Sequence, residues 1–163
     1  MVYKQIKLPF EKIIKDASGG NQKVKKSQYK ESGKYPVIDQ GVKFISGYVD
    51  DSKYLCNVNL PCIIFGDHTR RFKYVDFPFA MGADGIKVLV PYTNVPVKYL
   101  YYSLKAIKIP NAGYDRHFKY LKRSEITLID NAKKQILISN ILDDIILLNQ
   151  KRKESLKLLD EFL

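Results

Sequence analysis

The chain has 163 residues, 28 Lys and Arg against 17 Asp and Glu, a formal net charge of +11, two Cys and no Trp. At 45% hydrophobic, with 12 Tyr and 8 Phe, it can bury a core, which excludes disorder of the whole chain; its length fits one domain plus an appendage. No apolar run approaches a membrane span and the opening residues lack the apolar core of a secretory signal, so a cytoplasmic protein is expected.

In chain order, Ile6 to Phe10 predicts a short strand or extended lead, followed by one helical turn over 11–16. Residues 17–27 hold two glycines and several lysines and predict a flexible basic loop without a core-facing pattern. A short helix is expected at Ser27 to Lys30. Strands are expected at Tyr35–Ile38 and, with rough alternation, at Val42–Val49, and Asp50-Asp51-Ser52 makes a turn. Cys62-Ile63-Ile64-Phe65 is continuously apolar, as suits a strand buried on both faces. Phe72–Phe79 and Ile86–Val90 predict further strands on either side of a turn at Gly82-Ala83-Asp84-Gly85. Apolar residues at 97, 100, 101, 104 and 107 predict a helix within 95–107. Residues 110–123 are irregular and basic, and Ile126–Ile129 is a last strand. Cys56 and Cys62 have no second pair to complete a disulfide framework or a zinc site, so they are expected to be reduced, partly buried thiols.

From Asn131 onward neither Gly nor Pro interrupts the chain, and Asp130 is placed to cap a helix. Apolar residues follow steps of three and four along two adjacent seams, through Ile138, Ile141, Leu142, Ile145, Leu148, Leu156 and Leu159. At about 1.5 Å per residue the helix is roughly 45–50 Å long, more than a small globule can cover. Part of it should project as a coiled-coil arm, with Asn149 and Arg152 available to set register.

The charge is uneven. Residues 1–130 carry 22 Lys and Arg against 12 Asp and Glu, while residues 131–163 carry 6 against 5. An excess confined to the larger part favours a polyanion as partner. The basic residues gather in three segments, 19–27, 67–73 and 113–123. Motifs for chemistry are missing: there is no P-loop, no G-x-G-x-x-G, no G-x-S-x-G elbow, and neither His68 nor His117 has metal-ligand company. Asp67, Asp76 and Asp84 near Lys87 are the closest approach to a nuclease constellation. However, Asp84-Gly-Ile-Lys87 is one residue too long, which turns the lysine to the other face of a strand.

The order of several short stretches is informative. Leu8-Pro9-Phe10-Glu11-Lys12-Ile13-Ile14 is followed by Ser18-Gly19-Gly20 and Tyr35-Pro36-Val37-Ile38. Then come Ile63 to Thr69 with Asp76-Phe77-Pro78-Phe79, Ala83 to Leu89, Arg116 to Lys122, and the helix from Gln135 to Phe162 with Ile141-Leu142-Asp143-Asp144-Ile145. Together they resemble one half of the specificity subunit of a type I restriction-modification system. The linker Ile129-Asp130-Asn131-Ala132-Lys133-Lys134-Gln135 departs from the Pro-rich link often seen there, and the usual member carries two recognition domains and two helices where this chain has one of each.

The resemblance implies an α+β fold: a small mixed-sheet target recognition domain with short helices (1–130), then a long coiled-coil helix (131–163) for dimerisation and spacing. It implies double-stranded DNA as ligand, a second copy of the chain as partner through the helix, and an interrupted target. It also implies a separate adenine methyltransferase subunit that does the chemistry, with a restriction translocase subunit as a further partner. The chain itself is expected to be non-catalytic, without cofactor or metal. His68, Thr69, Arg70 and Arg71 are the expected base readers. Lys23, Lys25, Lys26, Lys73, Arg116, His117, Lys119 and Lys122 are expected at phosphates, with Tyr114 beside them against the backbone. A stand-alone regulatory DNA binder, needing no methyltransferase, is the alternative.

Overall fold

A computed structural model describes residues 4–82, 85–111, 113 and 115–162. Its elements are β1 (Gln5–Pro9), α1 (Phe10–Ile13), β2 (Ile14–Asp16), β3 (Lys23–Val24), β4 (Tyr35–Ile38), β5 (Gly47–Val49), β6 (Cys62–Gly66), β7 (Phe72–Val75), β8 (Ala80–Gly82), β9 (Ile86–Pro91), α2 (Val97–Lys105), α3 (Phe118–Lys122), β10 (Glu125–Ile129) and α4 (Ala132–Phe162). There are two four-stranded sheets, ordered β2-β9-β6-β7 and β3-β8-β4-β5, and a separate two-stranded ribbon, β1-β10. The first four-stranded sheet is antiparallel; the second is mixed, with β8 parallel to both neighbours.

The apolar run of β6 explains the layering. Ile63 and Phe65 face one core with Phe10, Ile13, Leu100, Leu104, Phe118, Leu121 and Ile126. Cys62 and Ile64 face a second core with Ile38, Phe79, Met81 and Val88. Because side chains alternate along a strand, a strand covered by helices on one face and by a sheet on the other must be apolar throughout. Burial also explains the thiols: both cysteines are free, and burial pushes the Cys56 and Cys62 thiols up to about 11 and about 12.

Several sequence expectations change. The 42–49 strand shrinks to β5, because residues 41–46 are drawn into a loop by contacts described below. The expected 72–79 strand shortens to β7 (72–75), and β8 follows at 80–82 in the other four-stranded sheet. The basic loop 17–27 contains β3, whose Val24 is fully buried. The cap of α4 is Asn131, whose carboxamide oxygen accepts from Lys134 N at 3.1 Å; Asp130 donates its own N–H to the Lys4 carbonyl instead. Ala83 and Asp84 lie outside the described residues.

Helix α4 spans 31 residues, about 45 Å. Its buried residues, Gln135 and Ser139, fall in the first two turns, and Ile138 packs against the core. From Asp144 to Phe162 every residue is exposed, with Leu148 at 65% and Phe162 at 88%. No described helix is long and apolar enough to cross a membrane.

Candidate nucleic-acid interface

Strands β6 and β7 form a hairpin whose tip is Asp67-His68-Thr69-Arg70. Gly66 N donates to Arg71 O at 2.8 Å and Arg70 N donates to Gly66 O at 2.7 Å, closing the turn. Arg70 sits at φ 57, a left-handed conformation that side chains with a Cβ rarely adopt. The guanidinium so directed donates to the Ile109 carbonyl at 3.4 Å.

The tip is held from two sides. On one side, the Asp67 carbonyl accepts from His117 N at 2.9 Å and lies 2.9 Å from His117 Nδ1, while the Asp67 carboxylate accepts from Phe118 N at 2.7 Å. A buried carboxylate fifty-one positions upstream therefore takes the first N–H of α3. On the other side, Thr69 Oγ1 donates to the Gln40 carbonyl at 2.8 Å, and Gln40 Oε1 accepts from His68 N at 3.1 Å. Gly66 permits this approach: a Cβ there would sit 2.8 Å from Gln40 Cβ and collide with Thr69 Oγ1.

The neighbouring loop 39–46 is fixed in turn. Asp39 Oδ1 accepts from Gly41 N at 2.8 Å and from Ser46 Oγ at 2.5 Å. Lys73, 7% exposed, enters from β7 and donates to the carbonyls of Asp39 and Lys43, each at 2.6 Å. Burial lowers the proton affinity of Lys73, against which the Asp39 carboxylate at 3.9 Å acts.

These contacts sort the expected site residues. The second and third basic segments meet through Asp67 with His117 and Phe118, and Arg70 reaches Ile109 just ahead of the third. The first is anchored elsewhere: β3 pairs with β8, Asn21 accepts from Asn57 N, and Gln28 donates to Tyr54. Lys23, Lys25 and Lys26 are exposed there. Two of the residues expected at phosphates lie in the interior. Lys73 is a buried loop clamp, and His117, fully buried, is the partner of the Asp67 carbonyl. Lys119 and Lys122 are exposed but ion-paired, with Asp115 at 2.6 Å and Glu11 at 2.8 Å. Arg71 and Arg116 are exposed, Thr69 is exposed and His68 half-buried. Tyr114 lies outside the described residues. Of the expected dimerisation positions, Ile138 and Leu142 line a groove with α2 and β10 on their own domain, whereas Ile141, Ile145, Leu148, Leu156 and Leu159 are exposed.

The nuclease constellation is rearranged too. Asp67 is turned into α3, and Lys87 pairs with Asp16 at 3.0 Å and lies 4.9 Å from the centre of the Phe118 ring. The sequence reading missed Gln40 and the loop clamp, because these are contacts between residues some thirty positions apart. It also missed Lys105 and Lys108, exposed cations at the end of α2 that stand in no local basic cluster.

Residues 13–158 match the family described as type I restriction modification DNA specificity domain. The chain belongs to that family. The specificity domain is 28% identical over 141 residues to the EcoR124I/EcoR124II type I restriction enzyme specificity subunit of Escherichia coli, covering 82% of this chain and 35% of that protein. Its fold is similar to the crystal structure of the type I restriction-modification system S subunit from M. genitalium, with a TM-score of 0.67 at 18% identity, over 95% of this chain and 43% of the other. The specificity domain thus spans about a third of the curated relative's length.

Proposed function

We propose that this specificity domain reads one part of an interrupted duplex DNA target and is itself non-catalytic. It would place a separate adenine methyltransferase subunit on that target in the cytoplasm, with a restriction translocase subunit as a further partner. The observation that carries this reading is the hairpin tip: His68, Thr69, Arg70 and Arg71 stand on a turn tied both to α3 and to the 39–46 loop. Donors held that firmly discriminate between base edges, whereas loosely held cations contribute affinity only.

The second half of the proposal is symmetry. From Asp144 on, α4 offers Ile145, Leu148, Leu156 and Leu159 to solvent, and a second copy packed antiparallel would cover them. A two-fold dimer reads an interrupted palindrome, since half-site geometry mirrors protein symmetry.

The test is to map modified adenines across the source genome with the gene intact and deleted. Loss of an interrupted palindromic motif on deletion supports the dimer guiding a methyltransferase. Loss of an asymmetric two-part motif supports the methylation role with a different second half. No change refutes the methylation role and favours the stand-alone regulator.

A further inference from the structure

Beside the reading hairpin lies a feature that the basic residues do not explain. Val42 is 78% exposed and Phe44 is 44% exposed, at the crest of the 39–46 loop. Exposed apolar side chains on a floppy loop carry little meaning, but this loop is not floppy. Asp39 takes the Gly41 N–H and the Ser46 hydroxyl, and the buried Lys73 ammonium gathers the carbonyls of Asp39 and Lys43. Phe44 also rests edge-on against Phe77, with ring centroids 6.0 Å apart. Two apolar groups are thus held outward by a network that buries a charge to do so.

Their surroundings indicate the partner. Val42 and Phe44 line a cavity of about 320 Å³ with Arg71, Phe72 and Lys105. Arg71 and Lys105 are exposed, and so is Lys43 between the two apolar residues. An apolar crest set among three cations fits a surface that is anionic at its rim and has apolar groups within. The major groove of duplex DNA is such a surface: phosphates line its edges, and the thymine methyl projects from its floor.

We propose that the 41–44 loop is a second base-reading element, in which Val42 and Phe44 select thymine through its 5-methyl group while Arg71, on the adjoining hairpin, reads the neighbouring position. This rests on the DNA-recognition reading above and adds to it a named base chemistry and two specificity-determining residues. A hydrogen-bond donor can read thymine through O4, but only an apolar side chain senses the methyl, and so only it tells thymine from uracil.

The experiment is selection of bound duplexes from a random pool, with the full chain as wild type, Val42→Ser and Phe44→Ser. Val42 stands in solvent, so Val42→Ser should melt as the wild type does, and this is checked first. The wild type is expected to enrich a motif containing a T·A pair that either variant no longer prefers, with the rest of the motif kept. Replacing that thymine by uracil, which lacks the methyl, should weaken wild-type binding about four-fold, the factor from burying one methyl-sized group, and leave Val42→Ser binding unchanged. A motif that both variants keep intact, or indifference of the wild type to uracil, overturns the inference while the DNA-recognition reading stands. If the wild type enriches no motif at all, both fail together.

Discussion

The junction of Asp67 with α3 admits a quantitative test. Asp67 is 5% exposed, and its carboxylate accepts the Phe118 N–H at 2.7 Å. Asp67→Ala removes that acceptor and leaves a buried donor unmet. A buried unsatisfied donor costs about 1–3 kcal/mol, and a bond to an ionised acceptor lies towards the upper end. Water entering beside a residue this near the surface offsets some of the loss, so we expect about 2 kcal/mol. For a chain of this size that lowers the melting temperature by roughly 4–8 °C. Asp67→Asn keeps an acceptor oxygen in place and should cost less than about 1 kcal/mol. Thermal melting by circular dichroism measures both. The affinity ratio between target and non-target duplexes should fall in Asp67→Ala, because the hairpin loses its tie to α3. Equal melting of wild type and Asp67→Ala, or equal loss in the Asn and Ala variants, would refute the long-range cap.

Four further outcomes follow from named residues. Lys119 and the Arg116 backbone N–H, with Tyr120, hold the Asp115 carboxyl down to about 2, so its contribution is fully present above the ordinary carboxylate range and is lost as pH falls toward 2. Carboxyl titration by NMR should show the Asp115 midpoint rising toward 3.8 in Lys119→Ala, and Asp115→Asn, which releases Lys119, should steepen the salt dependence of DNA affinity by about one counterion. Leu148→Lys with Leu156→Lys touches only exposed positions, so the folded circular dichroism spectrum should hold; in a two-fold dimer each change counts twice, and sedimentation should show dimer affinity at least about 100-fold weaker. Asp143 receives Lys98 at 3.2 Å and the Tyr102 hydroxyl, and Asp143→Ala should raise hydrogen exchange in the first turns of α4 while leaving β6 and β9 protected.

What the sequence made legible follows the range of the interactions. Tyr35–Ile38 appears with its expected bounds, and the apolar run at Cys62–Phe65 forms a strand buried on both faces. These patterns are local: periodicity within a few residues decides them. The strand expected over Val42–Val49 loses its first residues to the 39–46 loop, although Val42, Phe44 and Ile45 alternate loosely with polar residues. A lysine from β7 overrides that pattern by offering the loop carbonyls a better partner than a neighbouring strand. The expectation of His117 and Lys73 at phosphates has the same local basis. Their chemistry suits phosphate, but their burial depends on Asp67 and Asp39, far off in sequence. Strands β3 and β8 are two and three residues long, too short for a period to show.

The two ends of the molecule obey one physical requirement. If the domain reads one part of an interrupted target, as proposed above, it must fix its donors against the bases and fix its own distance from the second reader. Uncertainty at either end blurs discrimination, since a misplaced donor costs nothing extra on the wrong base. The hairpin meets the first demand with buried polar locks, Asp67 on α3 and Lys73 on the 39–46 loop, rather than with apolar packing alone. Such locks have few alternative geometries, because a displaced buried donor finds no other acceptor. The root of α4 meets the second demand in the same way: Gln135 Nε2 donates to the Ile129 carbonyl at 2.8 Å, and Lys98 and Tyr102 of α2 converge on Asp143. Between these anchors Ile138 and Leu142 pack inward, and beyond them the apolar side chains turn outward. The change at Asp144 therefore separates the part of the helix that sets direction within the domain from the exposed part to which the proposed reading gives the measuring of distance to a partner.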